Sequence, residues 1–194
     1  MSHAQVPLFN EAPDGFQYRY NFVTPDEETL LIQAVARIAF STFEMRGVAA
    51  RRRVAFFGRS YDSPRLPAEP LPAFLIPFRD RVAAWADVGP EAFVMALINE
   101  YPPGAPIGWH RDAPQYGIVA GISLLSSCRM KFRPYTPRNA KPQGRGPRRT
   151  ASHAVTLEPR SAYLMTGESR SAFEHHIPAV TRLRYSITFR TARF

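Results

Sequence analysis

Apolar and polar side chains alternate through residues 14–23, Asp-Gly-Phe-Gln-Tyr-Arg-Tyr-Asn-Phe-Val, which is the period of a half-buried strand. Thr24-Pro25-Asp26-Glu27 then reads as a helix start, with Thr as N-cap, Pro at the first helical position and Glu where it closes a capping box. Leu31, Ala34, Val35 and Ile38 follow at helical spacing, so a core-packed helix is expected to about Phe40. A proline-rich stretch over 63–72 predicts an extended loop. A second helix is expected from Pro77, with Phe78, Val82 and Trp85 on one stripe and a stop near Gly89. From Phe93 onward the pattern changes to short β-like runs at 93–101, 107–112, 119–125, 129–132, 154–157, 162–165 and 183–191. Helices first and many short strands afterwards predict an α+β chain with a sandwich or barrel. No internal repeat is present.

Length adds that 194 residues suffice for one domain with a full core, and the expectation is a single domain over 1–194. Within it, 1–92 would form an N-terminal strand, helix and substrate-lid region, and 93–194 the catalytic core. A hydrophobic fraction of 45% is that of an ordinary globular protein. The single cysteine, Cys128, excludes an internal disulfide and every multi-cysteine zinc site. The first residues lack a basic segment followed by an apolar run, and no apolar stretch approaches the roughly 18 residues of a membrane span. The expectation is a soluble, cytoplasmic protein without membrane contact, and a monomer.

The net charge of +9 is compatible with an arginine-rich composition or with a polyanionic partner, so local clustering has to decide. Two clusters stand out. Arg51, Arg52, Arg53 and Arg59 are interleaved with Phe56, Phe57 and Tyr61, a mixture of phosphate-binding charge and stacking faces. Residues 133–149 carry six basic residues, including Arg145, Arg148 and Arg149, and no acidic one, with abundant Pro and Gly. Such a segment cannot bury enough apolar surface to fold alone and is expected to be a long cationic loop.

The chemistry centres on His110 and Asp112. Two apart in a strand-like run, they point to one face and offer adjacent imidazole and carboxylate ligands. A third ligand must come from His3, His153, His175 or His176. Two histidines and one carboxylate make the facial triad of non-haem Fe(II) oxygenases. In the last strand-like run Arg184 and Arg190 share a face with Ser186 and Thr188, while Tyr185, Ile187 and Phe189 point to the other, apolar side. Inward-facing guanidiniums call for a carboxylate partner, which Arg grips with two parallel hydrogen bonds.

Asn99-x-Tyr101, a Pro/Gly-rich turn, His110-x-Asp112, Gly121-Ile-Ser-Leu-Leu-Ser126, Gly167-Glu-Ser-Arg170, His175-x-Ile177-Pro178 and Arg184-Tyr-Ser-Ile-Thr-Phe-Arg190 occur in this order. With them the chain, from about residue 14 to 191, resembles the AlkB family of Fe(II)- and 2-oxoglutarate-dependent dioxygenases. The resemblance implies a double-stranded β-helix (jelly-roll) core with the N-terminal helices packed against it. It implies His110, Asp112 and His175 as iron ligands, the His-x-Ile-Pro pattern selecting His175 over His176. Arg184 matches the arginine that binds the distal carboxylate of 2-oxoglutarate, Arg190 the second arginine of that motif, and Asn99 and Tyr101 polar contacts to the cosubstrate. Ser186 departs from members that carry Asn, which implies a weaker contact there with cosubstrate binding intact. The implied cofactors are Fe(II), 2-oxoglutarate and dioxygen. The implied reaction is oxidative demethylation of alkylated nucleobases in DNA or RNA, a nucleic-acid repair activity with the base flipped into the pocket. The alternatives are the same chemistry on a protein or small molecule, and a non-enzymatic nucleic-acid-binding module.

Overall fold

The computed structural model describes residues 12–45, 48–59, 69–137 and 152–193. The first elements are β1 (Phe16–Arg19) and α1 (Pro25–Val35). α1 opens on the expected capping box: the Glu27 N–H donates to Thr24 Oγ1 at 3.2 Å and the Thr24 N–H to Glu27 Oε2 at 2.9 Å. It ends at Val35 rather than near Phe40, because the next turn tightens into bonds from Arg37 N to Ala34 O and from Ile38 N to Val35 O. Tightened turns of this kind are usual at helix ends.

Next come β2 (Ser41–Met45), β3 (Val48–Gly58), α2 (Ile76–Ala86) and β4 (Phe93–Tyr101). α2 carries Pro77 in its first turn and stops at Asp87, whose left-handed backbone (φ 55°) does what a terminal glycine usually does. The chain continues through β5 (Ile107–His110), β6 (Tyr116–Leu124), β7 (Cys128–Pro134), β8 (His153–Leu157) and β9 (Ala162–Met165). The short α3 (Gly167–Ser171), β10 (Phe173–Ile177) and β11 (Arg184–Ala192) complete it.

Among the described residues, seven strands form one sheet in the order β1-β9-β6-β11-β4-β3-β2, and four form a second in the order β5-β10-β7-β8. Every pairing between these neighbours is antiparallel. This is the jelly-roll core. Leu31 and Val35 of α1 and Phe78 and Val82 of α2 pack on Ile98, Ile122, Ile187 and Phe189, covering the outer face of the large sheet. A second core, with Tyr101, Val119, Tyr163 and Met165 from the large sheet and Met130, Phe132 and Ile177 from the small one, fills the space between the sheets. β11 divides the two: its odd-numbered residues Tyr185, Ile187 and Phe189 face the helices, and Arg184, Ser186, Thr188 and Arg190 face the interior. No helix of the described residues is long and apolar enough to cross a membrane.

One glycine is set by close packing. A Cβ on Gly121 would lie 2.3 Å from Cζ of Tyr163, its cross-strand partner. That ring is buried and stacks on Phe16 at 5.7 Å, so it has little room to yield. Gly121→Ala is expected to lower stability by about 1–3 kcal/mol, the usual cost of overpacking. Denaturant midpoints measured at unchanged slope check this; an unaltered midpoint would show that the ring shifts freely.

Candidate metal centre and cosubstrate site

His110 is the last residue of β5, and its Cα partner across the small sheet is His175 of β10. The register therefore places the two rings side by side, centroids 4.2 Å apart. Asp112 lies beyond the end of β5, so strand alternation is not what brings it to His110. Arg190 does that instead: its Nε and Nη2 donate to Asp112 Oδ1 at 3.2 and 2.7 Å, while Nη1 donates to Thr188 Oγ1 at 3.0 Å. One ligand atom from each of His110, Asp112 and His175 lies within 4.8 Å of the others. Asp112 Oδ2, the oxygen that Arg190 does not engage, is 3.7 Å from His175 Nε2.

The protonation states suit a cation. Burial alone would raise the Asp112 carboxyl, but the Arg190 charge, helped by the two histidines, holds it well below the usual carboxylate range. Burial, and then the neighbouring His110, pushes His175 down to about 3, and burial also lowers His110. Both imidazoles are thus neutral with lone pairs to donate. His110 Nδ1 sits 2.8 Å from the Gly108 carbonyl, which only accepts, so Nδ1 carries the proton and Nε2 faces the centre.

His176 points the other way, with Nδ1 2.7 Å from the Ile107 carbonyl and its ring 5.0 Å from Trp109. Adjacent residues on a strand face opposite sides. His175→Ala is therefore expected to lose bound metal, and His176→Ala to keep it, by elemental analysis of the purified proteins; the reverse result would reassign the third ligand. His153 lies on β8, against Phe173 at 5.6 Å, and His3 lies outside the described residues.

The polar stripe of β11 runs on to Arg184, which is 1% exposed. Its Nε and Nη2 donate to Ser123 Oγ at 3.2 and 3.0 Å, and its guanidinium lies 5.1 Å from the Tyr101 ring. Among the described residues, Nη1 is buried and has no partner. An orphaned guanidinium N–H inside a sandwich costs free energy unless a ligand takes it up, and a carboxylate is its natural acceptor. The residues present thus fit a metal ion and a carboxylate-bearing cosubstrate. Asn99, opposite Ser186 in the register, accepts from Arg52 Nε at 3.3 Å, and Tyr101 stands opposite Arg184.

The expected substrate residues divide by strand face. Arg52 is 8% exposed and buried inside the sandwich beside Asn99, so it is not part of a phosphate-facing surface. Arg53 is committed to a two-point pair with Glu100 at 2.8 and 3.0 Å, and Arg51 reaches the Gly104 carbonyl at 3.3 Å. Phe57 is 7% exposed in the core beneath the helices, which removes it as a stacking residue. Phe56, 40% exposed, shares the face of Arg52 and Val54. Tyr61, Arg145, Arg148 and Arg149, with the loop from residue 138, lie outside the described residues. Ser123 and Arg170 belong to motifs noted in the sequence, but their roles became visible only with the fold.

Comparison with known proteins agrees with this geometry. A family model described as the 2OG-Fe(II) oxygenase superfamily matches residues 52–190. The chain is 30% identical over 176 residues to the alkylated DNA repair protein ALKBH8 homolog of Arabidopsis thaliana, covering 81% of this chain and 49% of that protein. It is 28% identical over 126 residues to the probable RNA/DNA demethylase ALKBH6 of Danio rerio, covering 64% and 53%. It thus spans about half the length of these relatives. Among solved structures, OsALKBH1 superposes with a TM-score of 0.66 over 91% of this chain and 98% of that one. A Pseudomonas putida prolyl-4-hydroxylase does so with 0.60 over 93% and 94%. Both are 14% identical, so these likenesses speak for the fold alone.

Proposed function

The chain belongs to the 2OG-Fe(II) oxygenase superfamily and is AlkB-like, and from that premise we propose that it oxidatively removes alkyl groups, methyl foremost, from nucleobases of DNA or RNA. The observation that carries the oxygenase part is the shared interior of His110, Asp112 and His175 with an Arg184 whose Nη1 lacks an acceptor. Nucleic acid as substrate is supported by the names of two relatives, an alkylated DNA repair protein homolog and a probable RNA/DNA demethylase. When bound, Fe(II) supplies oxidation by dioxygen: 2-oxoglutarate leaves as succinate and carbon dioxide, and an N-methyl group becomes a hemiaminal that releases formaldehyde.

In this reading His110, Asp112 and His175 hold the metal, and Arg190 fixes which Asp112 oxygen is free for it. Arg184, aimed by Ser123, takes the far carboxylate of 2-oxoglutarate. The apolar walls from Tyr101, Phe132 and Tyr163 exclude water from that end of the pocket. Phe56 offers a ring to a flipped base. The decisive experiment is mass spectrometry of methylated DNA and RNA oligonucleotides, methylated peptides and free nucleosides after incubation with iron and 2-oxoglutarate. Loss of 14 mass units, one CH2 per methyl removed, from an oligonucleotide is expected by about the stoichiometry of succinate released. Turnover confined to peptides or nucleosides would replace nucleic acid as the substrate.

A further inference from the structure

A cavity of about 280 Å³ opens beside the metal centre, sharing Asp112 as a wall. Arg111, Tyr135, Arg170, Glu174 and Arg193 line much of the rest. Its two carboxylates are already committed, Asp112 to Arg190 and Glu174 to Arg133, each at 2.7 Å. Two of its guanidiniums are held by neutral groups instead. Arg170 Nη2 donates to the carbonyls of Ala113 at 2.6 Å and Tyr116 at 2.9 Å, and its Nε is buried with no partner among the described residues. Arg111 Nη1 donates to the Ser171 carbonyl at 3.1 Å, and its guanidinium sits 3.5 Å from the centre of the Tyr135 ring.

Neutral acceptors fix these forks in place without cancelling their charge, and Arg193 adds a third cation at the rim. Burial lowers the pKa of Arg170; Asp112 offsets part of this, and Arg190, Arg193 and Arg111 add like-charge repulsion. Pre-aimed guanidiniums that repel one another are stabilised by an anion drawn between them, and a phosphate offers acceptor oxygens in several directions at once. The shared wall at Asp112 sets that anion next to the metal centre.

We propose that this cavity seats a backbone phosphate of the substrate strand next to the nucleotide under reaction, held by Arg111, Arg170 and Arg193. The inference rests on the nucleic-acid reading above and assigns part of its recognition to residues outside the metal and cosubstrate sites.

The test is fluorescence anisotropy of a fluorescein-labelled single-stranded oligothymidylate with the full chain over a range of salt. For the Arg111→Gln/Arg193→Gln protein, affinity is expected to fall about tenfold at low salt. The slope of log affinity against log salt should flatten by about 0.7, the value for one phosphate on a single strand. Arg111→Lys/Arg193→Lys, which keeps the charge, should retain the slope. Arg37→Gln, on an exposed residue just past α1, should change nothing. An unchanged slope in the double Gln protein, with wild-type chain still demethylating oligonucleotides, overturns the cavity assignment and leaves the proposed function standing. A wild-type chain that neither binds nor demethylates oligonucleotides overturns both. Competition by inorganic phosphate or polyglutamate at the same concentration of charge as the oligonucleotide would make the cavity a free-anion or acidic-peptide site and also overturn it.

Discussion

An Asp112→Asn protein should fold, bind iron poorly and release no more than a trace of succinate from 2-oxoglutarate. Asp112 has two jobs on its two oxygens. Oδ1 accepts from Arg190 Nε and Nη2, and Oδ2 faces His175. Alanine at this position would leave the buried Arg190 guanidinium without its carboxylate, and breaking a buried pair costs about 3–5 kcal/mol. Loss of activity in Asp112→Ala would then be ambiguous between a missing ligand and a damaged fold. Asparagine keeps the shape and can still accept from Arg190 through its carbonyl, but it offers the metal an amide group in place of a charged oxygen. The loss of iron affinity should exceed the roughly 10–100-fold that changes around a ligand usually cost. Elemental analysis and succinate release, with thermal melting as the control on folding, decide the matter. Substantial turnover in a folded Asp112→Asn protein would remove Asp112 from the ligand set.

The dual role of Asp112 also explains why the site was only partly legible in the sequence. His110 and Asp112 stand out as an i, i+2 pair, yet β5 ends at His110, and the register to His175 together with the Arg190 clamp assembles the triad. Strands with an unbroken apolar face are plain in the sequence: the runs at 93–101 and 162–165 coincide with β4 and β9. β10 is hidden. Phe173-Glu-His-His-Ile places a metal ligand at an inward position where the alternation calls for an apolar residue, so the functional residue erases the strand signal. β3 is obscured in a similar way, because three consecutive arginines read as one cationic cluster. The fold sends Arg52 into the interior to Asn99 and Arg53 to the opposite face to Glu100. Residue type alone does not separate them; pairing with β4 does. Ser123 is the remaining case, an unremarkable serine in an apolar strand until β11 lies beside it and Arg184 reaches its hydroxyl.

Replacing Arg184 with Ala should raise the dissociation constant for 2-oxoglutarate by about two to three and a half orders of magnitude while leaving iron affinity nearly intact. The magnitude follows from the loss of a buried guanidinium–carboxylate pair, about 3–5 kcal/mol, at 1.4 kcal/mol per tenfold. The geometry explains why the effect should be confined to the cosubstrate. Arg184 Nε and Nη2 are taken by Ser123, its plane rests over Tyr101, and it makes no contact with His110, Asp112 or His175 among the described hydrogen bonds. Among the described residues, Nη1 is buried and without an acceptor. Arg184→Lys keeps the charge but loses the planar fork, so it should bind 2-oxoglutarate more tightly than the Ala protein and more weakly than wild type. Ser123→Ala should show a smaller loss still, because it frees the guanidinium to turn without removing it. Calorimetric titration of 2-oxoglutarate into each protein measures these constants directly. The ordering wild type, Ser123→Ala, Arg184→Lys, Arg184→Ala in rising dissociation constant is the expected result. A dissociation constant in Arg184→Ala equal to that of wild type would take this residue out of the cosubstrate site and leave its orphaned Nη1 without a ligand.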